Sequence, residues 1–173
     1  MDLKSKIRNI PDFPKKGIVF RDISTLLQDK GAFHYAVDRL AERYWDKKID
    51  LIAAIESRGF IFGGALANRM DAGFVPVRKL GKLPYETVKK DYTLEYGYAT
   101  LEMHKDAVQA GQKVLIVDDL LATGGTLLAT CGLVEKLGGV VAGIAVLIEL
   151  SFLQGRQKFS KYDFHSIIQY ESG

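Results

Sequence analysis

Four apolar runs decide what this chain can fold into: "DLIAAI" at 50–55, "GFVPVR" at 73–78, "QKVLIVDD" at 112–119 and "VVAGIAVLIEL" at 140–150. They show no sustained alternation of polar and apolar residues, so they read as strands covered on both faces. A late strand is expected at "FHSIIQY". Helical spacing fills the gaps. In "KGAFHYAVDRLAERYWDK", Phe33, Val37, Leu40 and Tyr44 share one face. "SRGFIFGGALANRM" reads as a turn into a helix, and "GTLLATCGLVEKL" as a helix closed by Gly138-Gly139. Leu3, Ile7 and Ile10 predict a short amphipathic helix ended by Pro11. Buried strands alternating with helices imply an α/β fold, a parallel β-sheet flanked by helices on both faces.

Length and composition narrow the class. A chain of 173 residues with 47% hydrophobic content fits one domain over 1–173. The net charge of +3 is too small to argue for a nucleic-acid surface. One cysteine, Cys131, excludes an intrachain disulfide. The stretch "MDLKSKIRNI" has no apolar signal core, so a cytoplasmic location is expected. The longest apolar run is too short to span a bilayer and carries Glu149, so no membrane partner is expected. G-x-x-x-x-G-K-[ST], G-x-G-x-x-G and HExxH motifs are absent, and Cys and His do not cluster. No direct protein–metal site is therefore expected. His34, His104 and His165 are scattered and read as surface or packing residues.

The stretch "VLIVDDLLATGGT" at 114–126 carries two opposite charge preferences. Asp118 and Asp119 repel phosphate and suit hydroxyl groups or a cation. Ala122, Thr123, Gly124, Gly125 and Thr126 are small enough for backbone N–H groups to face an anion. A helix beginning near Gly125 adds its N-terminal dipole. A sugar phosphate satisfies both halves. Plain structure is the rival, since strand ends in α/β proteins are often polar without binding anything.

At this stretch the sequence resembles the type I phosphoribosyltransferases, and among them the members that use adenine. "FPKKGIVFRDIS", "ESRGFIFG", "RKLGKLP", "LEYG" and "IIQYE" match in the same order, so the resemblance covers nearly the whole chain. It implies a small N-terminal hood from residues 1–33. It implies the reaction of adenine with 5-phosphoribosyl-1-pyrophosphate to give AMP and pyrophosphate, a purine-salvage step. Asp118 and Asp119 would accept from the ribose hydroxyls and favour the positive charge that develops on the ring. Ala122 to Thr126 would cradle the 5-phosphate. Mg²⁺ would ride on the pyrophosphate, with Asp118 or Asp119 reached at most through water.

The resemblance assigns the remaining motifs as follows. Arg58 would grip pyrophosphate with its forked donors. A turn at Ser57 to Gly59 would approach the same anion, with Gly59 permitting unusual dihedrals. Arg78, Lys79 and Lys82 begin an aperiodic stretch to about Lys90 that reads as a lid. In the family such basic residues reach the neighbouring subunit's diphosphate, which implies a homodimer. Glu95 would exchange a proton near N7 of the purine while N9 attacks, with Tyr96 packed beside it. Phe20 would offer an aromatic face to the base, and the backbone of Val19 and Arg21 would read its edge. Three alternatives stay open: a phosphoribosyltransferase for another base, a regulator that kept the pocket and lost catalysis, and an unrelated sugar-phosphate binder.

Overall fold

The computed structural model describes residues 1–94 and 97–173. Strands β1 (Arg8–Ile10) and β2 (Phe20–Asp22) pair antiparallel, with Ile10 opposite Phe20, and form a small N-terminal sheet. Helix α1 (Ser24–Gln28) leads into α2 (Lys30–Glu42). Asp29 starts α2 by accepting from the N–H groups of Gly31 and Ala32, both at 3.0 Å. Then follow β3 (Leu51–Ile55), α3 (Arg58–Arg69), β4 (Gly73–Lys79), β5 (Thr87–Thr93) and β6 (Tyr98–His104). The chain ends with β7 (Lys113–Leu121), α4 (Gly125–Lys136), β8 (Val140–Leu150) and β9 (Phe164–Tyr170).

The main sheet has the order β5-β6-β4-β3-β7-β8-β9. Strands β4, β3, β7, β8 and β9 run parallel. Their side chains alternate between two apolar layers. Ile52, Ala54, Leu115, Val117, Ala145 and Leu147 pack with residues of α2 and α3, among them Leu40, Phe62 and Leu66. Ala53, Ile55, Val114, Ile116, Ile144 and Val146 pack with Leu127, Cys131 and Val134 of α4. This two-sided burial explains why the runs lack polar alternation. Each fully buried Leu, Ile or Val contributes about 1.5–3 kcal/mol.

Three sequence expectations need correction. Leu3 and Ile7 are buried, but no α-helix reaches Ile10. A 3₁₀ turn covers Lys4–Lys6, and the chain then extends into β1. Helical spacing lost because pairing with β2 satisfies the backbone of residues 8–10, and Thr25 Oγ1 ties the Lys6 carbonyl at 2.7 Å. Second, the aperiodic stretch 78–90 is strand at both ends, since β4 runs to Lys79 and β5 begins at Thr87, with a turn over residues 80–86 between them. Val88 and Tyr92 of β5 pack on the α4-side core, while Lys89, Lys90 and Asp91 stay exposed, which hides the two-residue period. The sheet is therefore mixed, since β6 runs antiparallel to both β4 and β5. Third, β7 continues through both aspartates to Leu121.

Candidate active site

Asp118 and Asp119 are not at an exposed strand end. Pairing of β7 with β8 continues past them to Leu121 opposite Glu149, and their exposures are 9% and 4%. Asp118 Oδ1 accepts from the Asp119 N–H at 2.8 Å. Burial, reinforced by the neighbouring Asp119 charge, pushes the Asp118 carboxyl well above the usual aspartate range. Burial also raises Asp119, against the opposing pull of Arg58. Arg58 Nε lies 2.9 Å from Asp119 Oδ2. The contact is an ion pair without hydrogen-bond alignment. Among the described residues, Asp119 Oδ2 has no hydrogen-bond partner although it is buried. An unsatisfied buried acceptor is costly unless a donor arrives.

Helix α3 is pressed against this pair. A Cβ on Gly59 would lie 2.8 Å from Asp118 Oδ1 and 3.2 Å from the Val117 carbonyl oxygen. Gly59 is needed for that close approach. It adopts no left-handed conformation, contrary to the expectation of unusual dihedrals. From the first turn of α3, the Arg58 guanidinium also sits 5.3 Å over the Phe20 ring centroid. It thus links the acid pair to the N-terminal sheet.

Beyond β7 the chain turns through Ala122 to Thr126 into α4. Gly124 precedes the helix with φ +86°, a region other residues rarely adopt. Its peptide neighbours, the acid pair, Arg58 and Lys79 line one cavity of about 530 Å³. Anion-favouring amides and a helix N-terminus meet two buried carboxyl groups, one of them paired with Arg58, across that space. The basic stretch is held from behind. Glu56 accepts from Arg78 Nε and from the Lys79 N–H, both at 2.8 Å. Arg78 also donates to the Lys82 carbonyl. Of Arg78, Lys79 and Lys82, Lys79 is the one that lines the cavity. Glu102 on β6 accepts from the N–H groups of Gly81, Lys82 and Leu83 at 3.0–3.2 Å.

A second cavity of about 670 Å³ adjoins the first and shares Thr93, Leu94, Ala122 and Thr123 with it. Gly17, Ile18, Val19 and Arg21 form one wall, and Leu150, Phe152, Leu153 and Lys158 another. Val19 and Arg21, expected from the sequence to read the base, both line this cavity. Phe20 does not line this cavity; its ring packs edge-on against Phe13 at 5.2 Å and under Arg58. Sequence reasoning missed Phe152, Leu153 and Lys158. Their signal was an apolar pair just beyond the C-terminal end of β8, the end at which α/β sheets bind ligands. Glu95 and Tyr96 lie outside the described residues, between β5 and β6. Among the described residues, no three His, Cys, Asp or Glu side chains cluster to hold a metal ion by themselves.

Comparison with known proteins agrees with this geometry. The phosphoribosyl transferase domain family matches residues 24–171. The adenine phosphoribosyltransferase of Brachyspira hyodysenteriae is 58% identical over 170 residues, covering 98% of this chain and all of the relative. The crystal structure of the adenine phosphoribosyltransferase from Thermoanaerobacter pseudethanolicus superposes with a TM-score of 0.94 at 57% identity, covering 98% of each chain. The Giardia lamblia enzyme complexed with 9-deazaadenine gives a TM-score of 0.91 at 40% identity, covering 98% of this chain and 97% of that one.

Proposed function

We propose a division of labour on one premise: the chain belongs to the phosphoribosyl transferase family, and it transfers the 5-phosphoribosyl group of 5-phosphoribosyl-1-pyrophosphate to adenine, giving AMP and pyrophosphate. One observation carries it. A cavity pairing carboxylates with an anion-favouring turn meets a largely apolar cavity at Ala122 and Thr123. The ribose bridges the two.

In this reading the bond from the anomeric carbon to pyrophosphate breaks as the bond to N9 forms, and the purine releases a proton. Asp118 and Asp119 accept from the ribose hydroxyls, which supplies the donor that Asp119 Oδ2 lacks. Donors that arrive with the substrate favour the ionised pair, and that pair stabilises the cationic ribose of the transition state. Ala122 to Thr126 hold the 5-phosphate. Arg58, 39% exposed along its side chain, and Lys79 face the leaving pyrophosphate. Arg78 and Lys82 shape the basic turn behind Lys79. The backbone of Val19 and Arg21 reads the adenine edge, and Phe152 and Leu153 enclose its faces. Phe20 acts indirectly, by seating Arg58. A site built to pair N1 and the 6-amino group rejects 6-oxopurines by about 10⁴. Glu95 takes the purine proton near N7 as N9 attacks and passes it on to solvent or to the leaving pyrophosphate, and Tyr96 assists.

Mg²⁺ fits this donor set, because it prefers hard oxygens and Asp119 Oδ2 has an uncommitted lone pair. Bound with the pyrophosphate, it would be held at most through water by Asp118 or Asp119 and would neutralise leaving-group charge. A homodimer is supported by Ile61 of α3, Phe74 of β4 and Leu80, all large, apolar and exposed. The cytoplasm is assigned because a lone buried cysteine fits a reducing compartment, and a purine-salvage role follows from the reaction. No helix among the described residues is long and apolar enough to cross a membrane.

The test is an assay with Mg²⁺, 5-phosphoribosyl-1-pyrophosphate and, in parallel, adenine, guanine, hypoxanthine and orotate. AMP formation should dominate. Preference for guanine or orotate overturns the base assignment. Glu95→Gln should bind both substrates yet slow the single-turnover step; an unchanged step removes Glu95 from proton transfer.

A further inference from the structure

The phosphate turn Ala122-Thr123-Gly124-Gly125-Thr126 has no cationic side chain of its own. A cation reaches it from elsewhere. Lys158 Nζ donates to the Thr123 carbonyl oxygen at 2.6 Å, from a segment 35 residues further along the chain. Lys158 belongs to a 3₁₀ turn over Gly155–Phe159 that is firmly seated. A Cβ on Gly155 would collide with the Ala122 carbonyl oxygen, so this turn and the phosphate turn touch backbone to backbone. Phe159 is buried, and its ring lies 2.9 Å from where a Cβ on Gly124 would be. Arg156 in the same turn is tied to the buried carboxylate of Glu149 on β8. Lys158 thus stands on a platform anchored at three points.

We propose that Lys158 is a positioning residue that sets the orientation of the Thr123–Gly124 peptide and thereby arms the phosphate turn. In a trans peptide the carbonyl and the following N–H point in opposite directions. Holding the Thr123 oxygen against Lys158 directs the Gly124 N–H away from it, toward the side where Gly124 lines the first cavity. Gly124 makes this control necessary. Its φ is +86°, and because glycine adopts either sign of φ at small steric cost, sterics alone would not stop the preceding peptide from flipping. Flipped, the plane would turn a carbonyl oxygen toward the phosphate and repel it. The ammonium group also offsets part of the phosphate charge, in a site that already contains two carboxylates.

This inference rests on the proposed placement of the 5-phosphate in the turn, and the test separates the two. AMP and adenosine share every group except the phosphate. Calorimetric titration of Lys158→Met should show AMP binding about fivefold to tenfold weaker, with a clearly smaller change for adenosine, since Lys158 also borders the second cavity. KM for 5-phosphoribosyl-1-pyrophosphate should rise by a similar factor, with kcat falling less than KM rises. Lys158→Arg should recover most of the loss, since it keeps charge and donor. The amide resonance of Gly124 should shift on adding AMP to the parent and shift much less in Lys158→Met. Equal weakening of AMP and adenosine would reduce Lys158 to a structural residue and overturn the proposal, as would no change in either. Parent protein that binds AMP no tighter than adenosine, with Thr123→Val silent as well, would instead remove the phosphate site itself.

Discussion

Two pairs of buried carboxylates sit in one sheet and behave in opposite ways. Glu102 on β6 and Glu149 on β8 are 2% and 4% exposed, yet both are held below the usual glutamate range. Burial alone would raise Glu102, but the N–H groups of Leu83, Gly81 and Lys82 and the Thr87 hydroxyl outweigh it. Burial would also raise Glu149, and Arg156 and Ser166 outweigh it there. Asp118 and Asp119 on β7 are as little exposed but lie deeper among protein atoms, and they are pushed up instead. The difference is depth together with saturation. The glutamates are met by several donors each, whereas the aspartates face each other, the Arg58 guanidinium and a cavity. A saturated carboxylate holds the fold together, and an unsaturated one waits for a ligand.

The comparison breaks first if the aspartates prove structural. Asp118→Asn and Asp119→Asn should each lower kcat/KM by about 10²–10³. Their thermal midpoints should hold or rise, because a neutral amide relieves a buried like-charge pair. A large fall in midpoint with normal turnover per folded molecule would place them with the glutamates. The mirror experiment is Glu102→Ala. It leaves three N–H groups of the 81–83 turn without their acceptor and should cost about 2 kcal/mol in urea unfolding. An unchanged unfolding curve would mean that the turn holds itself.

Acid and base limbs of stability sharpen the contrast. Glu102 and Glu149 are depressed, so their contribution is present above the ordinary glutamate value and is lost as pH falls through their folded values. Asp118 and Asp119 are raised, so their contribution is present below the ordinary aspartate value and is lost as pH rises through their folded values. Unfolding measured from about pH 3 to about pH 8 should therefore show Glu102→Gln flattening the acid limb and Asp118→Asn flattening the other. If both substitutions change the same limb, the distinction fails. The smallest effect belongs to Asp22, saturated by Ser24 and Arg8 and lowered to about 2. Asp22→Asn should cost about 1 kcal/mol, since Arg8 is half-exposed. Its acid loss should come only as pH falls toward that value, lower than for either glutamate.

What the sequence made legible follows the same physics. Strands β3, β4, β7 and β8 announce themselves as apolar runs without alternation, and helices α2, α3 and α4 by apolar residues at helical spacing between turn signals. The ribbon β1–β2 and the hairpin β5–β6 do not. Their faces are partly wet, and charged residues such as Lys90 occupy positions that a period-two reading needs to be apolar. At the site, the Asp-Asp pair and its glycine turn were readable from residue type alone. Their burial was not, because strand pairing past Asp119 depends on β8. The walls built by Phe152, Leu153 and Lys158 come from 3₁₀ turns with no period, brought to the cavity only by the packing of the turn onto Ala122.

Strand β5 has one further consequence. It ends the main sheet, pairing with β6 on one side only, so its other backbone edge has no strand partner among the described residues. Such an edge invites another chain to add itself. The exposed run Lys89-Lys90-Asp91 discourages that, because an incoming strand would have to place its own residues against fixed charges. The hairpin that closes onto the two cavities can therefore remain an open edge, paired on one side only, without becoming a seed for aggregation.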